Sequence, residues 1–216
     1  MIPPPHLEIL VATRNPGKIS EIQAALCRLR VKLRYLDEFP NVVAVNEVGQ
    51  TYEQNAVLKA MSYSNQTGVC ALAEDSGLEV DALGGMPGVF TARFAGADAS
   101  DAERVNKLLA ALSEYPPKDR SARFICSMAL AVCENDEETL ITSGTRLLKI
   151  TEGRCEGLIA NTSRGTNGFG FDPVFIPDSY DKTFAELPDE VKAKISHRAL
   201  AFHAMQAFLS RRLDQT

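Results

Sequence analysis

Four stretches of this chain carry side chains whose types and spacing could do chemistry together. The first is Thr13-Arg14-Asn15-Pro16-Gly17-Lys18, between an aliphatic run and an amphipathic one. A glycine turn at a helix N-terminus offers backbone N–H groups and the positive end of the helix dipole to an anion. Thr13 and Asn15 add neutral donors and Lys18 a full positive charge, so the stretch reads as a phosphate cradle. Its spacing is not that of the P-loop, G-x-x-x-x-G-K-[ST]. Asn-Pro-Gly is also an ordinary turn, and the residues alone leave both readings open. The second stretch is Glu74-Asp75-Ser76-Gly77, at the predicted end of a strand, with Glu47 and Glu53 upstream. Adjacent carboxylates suit Mg²⁺, which takes oxygen ligands and keeps several waters. Such a carboxylate can also accept a proton from an attacking water. The alternative is an acidic turn exposed to solvent.

The third stretch is Gly168-Phe169-Gly170-Phe171-Asp172-Pro173. Two aromatics separated by glycine let backbone approach a planar ligand while one ring stacks on it. Asp172 could hydrogen-bond a base or orient a basic group; a bulged core strand is the competing reading. The fourth is Lys192 with Ser196-His197-Arg198 at the predicted start of the last helix. Basic residues in a first helical turn oppose the dipole and cost stability, which invites a functional reason. A surface turn with a structural histidine accounts for the same residues.

The elements that must position these groups follow from periodicity. Leu7 to Ala12 reads as a strand, and Ile19, Ile22, Leu26 and Leu29 mark one face of a helix. Val31 to Leu36 reads as a second strand. Thr51 with Gln54 opens a helix running to about Gln66, and Val69 to Ala73 is a buried strand ending at the acidic stretch. Ser100 with Glu103 opens a helix through Leu112. Ala122 to Cys133 and Thr139 to Ile150 are β-rich runs joined by the polar turn Glu134-Asn135-Asp136-Glu137, the pattern of a long hairpin. Ser196 caps a last helix carrying Leu200, Met205, Phe208 and Leu209. Early alternation of strands and helices with later hairpins predicts an α/β protein with a mixed central sheet. The hairpin projects as a second lobe, with a ligand cleft expected between the lobes.

Composition narrows the function classes. Of 216 residues, 45% are hydrophobic and 24% charged, the profile of a globular protein. The net charge of −5 disfavours a nucleic-acid polymer as partner, while a compact anion remains compatible with a local basic pocket. No apolar run of about 20 residues is present, so no membrane partner is expected. Residues 1–6, Met-Ile-Pro-Pro-Pro-His, lack the pattern of a signal peptide and read as a short disordered lead-in to a single domain over 1–216. The five cysteines form no C-x-x-C pair and fit reduced, packed thiols in a cytoplasmic protein.

Order and spacing say more than any stretch alone. ATRNPGK, GQTYEQNAVLKA, EDSGLEVDALGGMPGVFTARFAG, GFGFDP, and TFAEL followed by KAKISHRALA run from residue 12 to about 201. In this the chain resembles the inosine triphosphate pyrophosphatase family, enzymes that hydrolyse ITP, dITP and XTP to the monophosphate and pyrophosphate. The resemblance implies a two-lobed α/β fold, a homodimer and Mg²⁺ as the working metal. It implies that Thr13, Arg14, Asn15, Pro16, Gly17, Lys18, Lys59 and Ser76 contact the triphosphate. Glu47 and Asp75 would hold the metal, with Asp75 also the proton acceptor. Phe169, Gly170, Phe171, Asp172, Lys192, His197 and Arg198 would bind the nucleotide, the last two at the base. The sequence departs from the family pattern at Gln54, where many relatives have Glu, and at Glu74, Phe90 and Phe171, where charge or aromatic bulk is kept.

Overall fold

The first parallel crossover of the chain sets where its chemistry sits. In the computed structural model, residues 7–27, 29–135 and 142–213 are described. Strand β1 (Leu7–Val11) leads into helix α1 (Pro16–Leu26) and strand β2 (Val31–Tyr35), then helix α2 (Tyr52–Thr67) and strand β3 (Cys70–Val80). Both β2 and β3 pair with β1 in parallel, Leu7 opposite Val31 on one side and Ile9 opposite Cys70 on the other. The chain therefore leaves β1 to opposite sides in turn. In open α/β sheets the crevice beyond the carboxyl end of such a strand is the usual ligand site. Residues 13–18 occupy that end of β1.

Helix α3 (Asp101–Ala111), strands β4 (Ser121–Asn135), β5 (Thr142–Ile159) and β6 (Phe175–Pro177), and helices α4 (Asp189–Ile195) and α5 (His197–Leu213) complete the fold. The hydrogen-bonded strand order is β2-β1-β3-β4-β5-β6, with β6 antiparallel to β5. This is the mixed-sheet α/β class expected from the sequence. On β2, Lys32 and Arg34 both pair with Glu8, and Arg34 also with Glu38.

The chain divides into two compact units. The first takes the residues up to Asp75, Ser127–Glu152 and the residues from Ala201 on; the second takes Ser76–Cys126 and Gly153–Leu200. In the first unit the core cluster between α2 and the sheet is built largely from small side chains. Ala56, Ala60 and Tyr63 of α2 pack on Leu10, Ala12, Ala71, Ala73, Ala129 and Ala131. Alanine on both surfaces lets the helix approach the sheet closely. The core of the second unit is bulkier, with Leu78, Val105, Leu108, Phe124, Phe171, Phe175 and Phe184 in one cluster. Its rings meet tilted, 4.7 Å between Phe124 and Phe175 and 5.2 Å between Phe175 and Phe184, favoured edge-weighted geometries.

Helix starts follow the sequence signals. Ser100 and Glu103 form a reciprocal capping box. Thr51 caps α2 by accepting from the Gln54 N–H, but the Gln54 side chain accepts from Gln50 N–H instead of closing the box. Ser196 Oγ accepts from Ala199 N–H at the head of α5. Two expectations need correction. The strand carrying Glu74 and Asp75 does not end there but runs on to Val80, and β5 continues nine residues past Ile150. β4 and β5 are neighbours in the sheet, as the predicted hairpin requires. Of its polar turn, Glu134 and Asn135 belong to β4, and residues 136–141 lie outside the described residues, as does the 1–6 lead-in.

Candidate active site

In the first unit, the turn after β1 and a set of buried charges are brought together. Asn15 caps α1: its Oδ1 accepts from Lys18 N–H at 3.1 Å, and its own N–H donates to Thr13 Oγ1 at 3.2 Å. Pro16 takes the first helical position, where no N–H is needed. Arg14 reaches outward to Asp37 at 3.8 Å. Lys18 turns inward, its Nζ 2.7 Å from Glu74 Oε1. Lys59 Nζ, on α2, donates to Glu47 Oε2 at 2.9 Å and lies 3.7 Å from Asp75 Oδ1. Asp75 Oδ2 accepts from Asn55 Nδ2 at 3.0 Å. Glu53, in the first turn of α2, is exposed.

Glu74 and Asp75 are buried, which rules out the solvent-exposed acidic turn. Burial pushes the Asp75 carboxyl above its ordinary range; the Lys59 charge and the Asn55 hydrogen bond oppose this, and Glu47 adds to it. At Lys59 burial works against the ammonium, but Asp75, Glu47 and Glu74 together outweigh it and hold the amine protonated. Two ammonium groups thus face three carboxylates. A polyphosphate brought to this set would meet an anion surplus unless another cation came with it. Glu47 and Asp75 are hard oxygen donors gathered on one lysine. One or two carboxylates completed by waters and phosphate oxygens is how Mg²⁺ is usually held. Among the described residues no set of three or more His, Cys, Asp or Glu gathers as a closed metal cage. Glu47 and Asp75 would suit Mg²⁺ as two such carboxylates.

In the second unit, residues 168–174 form turns, so the bulged-strand reading is set aside. Asp172 organises them: its Oδ2 accepts from Phe169 N–H at 2.9 Å and from Lys192 Nζ at 2.6 Å. Gly168 has φ of 76°, and a Cβ there would lie 2.0 Å from Asp172 Oδ2, so only glycine lets the loop close over this carboxylate. The Phe169 ring has Lys192 Nζ 5.0 Å and Arg198 Cζ 5.5 Å from its centre. Arg198 also donates to Ser76 Oγ at 3.1 Å. His197 stacks on Phe124, centroids 4.6 Å apart and planes 12° from parallel. Phe171 is packed in the core at 1% exposure, so what it can offer a ligand is its backbone.

Three residues in direct contact with these groups went unread in the sequence. Asn55 touches Asp75; Phe124 carries His197; Asp101, at the head of α3, accepts from Gly170 N–H at 2.7 Å. Only Asn55 lies within one of the matching motifs, and an asparagine among helix formers gives no sign of a partner 20 residues away.

Comparison with known proteins gives the family of the whole chain. The sequence model of the Ham1 family matches residues 9–208. The dITP/XTP pyrophosphatase of Bacillus licheniformis is 45% identical, over 94% of this chain and 97% of the relative. A HAM1 protein of known structure from Coxiella burnetii is 42% identical, with a TM-score of 0.82 over 95% of this chain and 99% of its own. The Ham1 protein of Staphylococcus aureus is 36% identical with a TM-score of 0.80 over the same shares. Among the described residues no helix is long and apolar enough to cross a membrane.

Proposed function

The chain belongs to the Ham1 family, and on that premise we propose how it works as a nucleoside triphosphate pyrophosphohydrolase. It converts non-standard purine nucleoside triphosphates, ITP, dITP and XTP, to the monophosphate and pyrophosphate. The observation that carries the mechanism is the buried Asp75, held on one oxygen by Asn55 and on the other by Lys59, beside the phosphate-cradle lysine Lys18.

Asp75 accepts the proton of a water whose oxygen bonds to the α-phosphorus. The bond from that phosphorus to the bridging oxygen breaks, and pyrophosphate leaves with the bonding pair. Lys18 and Lys59 offset the charge that develops on it. Thr13, Asn15, the Gly17 backbone N–H and Ser76 orient the phosphates, with Arg14 at the rim and Pro16 presetting the turn. Mg²⁺, held by Glu47 and Asp75, would neutralise phosphate charge when bound.

The second unit's set reads the nucleotide. Phe169 supplies an aromatic face beside Gly170 and Phe171, and Asp172 holds Lys192 in place. Arg198 presents a planar fork that matches the O6/N7 acceptor pair of a 6-oxopurine, with His197 beside it; adenine offers an amino donor there and leaves the fork unpaired. The same reading carries a homodimer in the cytoplasm; the five cysteines form no disulfide, as a reducing compartment maintains.

The decisive experiment is hydrolysis of dITP in ¹⁸O-water. Label is expected in dIMP with unlabelled pyrophosphate. Label in pyrophosphate, or release of diphosphate and orthophosphate, would overturn attack at the α-phosphorus.

A further inference from the structure

Residues 43–50, which carry Glu47, form no helix or strand, yet the segment is pinned to α2 in a regular register. Gly49 N–H donates to Asn55 Oδ1 at 2.8 Å, and Glu47 accepts from Lys59 at 2.9 Å. Val45 N–H donates to the Tyr63 hydroxyl at 3.3 Å, and Val43 exchanges two hydrogen bonds with the Gln66 amide, at 2.7 and 3.2 Å. Two residues back along the segment thus correspond to three or four forward along the helix. The geometry explains the match: two extended residues span roughly 6.6 Å and four helical ones about 6 Å. Residues 55, 59, 63 and 66 share one helix face.

One member of this ladder does more than hold the segment. Asn55 is buried, and while its Oδ1 takes the Gly49 N–H, its Nδ2 donates to Asp75 Oδ2. A single rigid amide plane therefore ties the segment bearing Glu47 to the carboxylate of Asp75. The contact is tight. A Cβ at Gly49 would lie 2.6 Å from Asn55 Oδ1 and 2.8 Å from Gln54 Cβ, so any side chain at position 49 would force the contact apart. Asn alone among the side chains of this size offers an acceptor and a donor on one plane at this reach.

We propose that Asn55 is a positioning residue for hydrolysis, setting the register of the Glu47 segment and the orientation of the Asp75 carboxylate together. This rests on the reading that Glu47 and Asp75 act in turnover. Asn55→Asp keeps an oxygen for Gly49 N–H and removes the donor to Asp75; Asn55→Ala removes both. With dITP as substrate, both variants should lose about tenfold or more in kcat with KM held within about threefold, the range seen when a ligand's outer partner is removed. Amide exchange at Gly49 should stay as slow as in the wild type for Asn55→Asp and quicken at least tenfold for Asn55→Ala. Gly49→Ala attacks the same contact from the other side, and should lose kcat while adding little to Asn55→Ala in the double variant.

Asn55→Asp with more than half the wild-type kcat would overturn the proposal, as would a KM rising in step with the loss of kcat. So would unchanged Gly49 exchange in Asn55→Ala, or additive losses in the double variant. Should the Asn55 variants fail to fold, Gly49→Ala decides alone: kcat within twofold of wild type sinks the idea. A wild-type protein that releases no pyrophosphate from dITP would instead refute the functional reading. The exchange measurement would then still decide whether Asn55 holds the segment.

Discussion

In the first unit a helix lies close on the sheet through alanines, and the candidate set is almost purely ionic: Lys18, Lys59, Glu47, Glu74 and Asp75. In the second unit the core is phenylalanine-rich, and the candidate set is two cations on one ring, Lys192 and Arg198 at Phe169, with His197 stacked on Phe124. The first set has more carboxylates than cations; the second has two cations and one carboxylate, Asp172. Small core residues permit the close approach that lets short side chains such as Asn55 and Asp75 meet. Bulky aromatics instead provide faces against which long cationic side chains are ordered. The contrast teaches that small core residues suit a compact ionic set and aromatic ones a set of ordered long cations, and the proposed division into phosphate-and-metal and base sets rests on it.

The sharpest way to break this contrast is Asp75→Asn, which should lower kcat for dITP by about 10²–10⁴-fold with the fold intact by circular dichroism. A variant keeping more than about a tenth of the rate would remove Asp75 from the proton-accepting role. Next is Lys59→Met, which leaves Asp75 and Glu47 without their shared cation. Removing one partner of a buried pair costs about 3–5 kcal/mol, read from the urea midpoint. Saturating Mg²⁺ should restore part of that loss, while Lys192→Met in the second unit should be destabilised without recovering in Mg²⁺. An equal Mg²⁺ response in the two variants would erase the distinction between the sets.

Smaller effects test the aromatic set. Arg198→Ala should cost about 1–3 kcal/mol in kcat/KM with ITP, roughly tenfold to a hundredfold, and far less with ATP. Equal losses on both would reassign Arg198 to phosphate or to folding. Smallest is Asp101→Ala, which frees Gly170 N–H; a loss of about 1 kcal/mol should show as a severalfold rise in KM for ITP at constant kcat. A fall in kcat at constant KM would place Asp101 with the first set instead.

Much of the first unit was legible in the sequence. Aliphatic runs, the Asn-Pro-Gly turn and the Thr51 cap located β1, α1 and α2, and so the turn at Thr13–Lys18; in the second unit the Ser100 cap located α3. The continuation of β3 was hidden because Glu74 and Asp75 look like a turn. They are buried in the middle of a strand only because Lys18, Lys59 and Asn55 compensate them. The far half of β5 was hidden for a different reason. From Thr151 to Ile159 it alternates strictly between buried and exposed, but four of its five buried positions are Thr151, Gly153, Cys155 and Gly157, small residues that leave Ile159 alone and do not register as a hydrophobic period. The sequence also carried no sign that Asp101 and Phe124 contact Gly170 and His197. Their contacts join positions 69 and 73 residues apart, which no local pattern encodes.

The ends of the sheet have a consequence for how copies of this chain meet one another. β2, at one edge, carries Lys32 and Arg34 locked in ion pairs with Glu8 and Glu38; β6, at the other, is three residues long and stops at Pro177. Charge, brevity and proline are the devices that keep an edge from templating a foreign strand. The sheet thus carries at both edges features that disfavour β-aggregation and the joining of backbone to backbone.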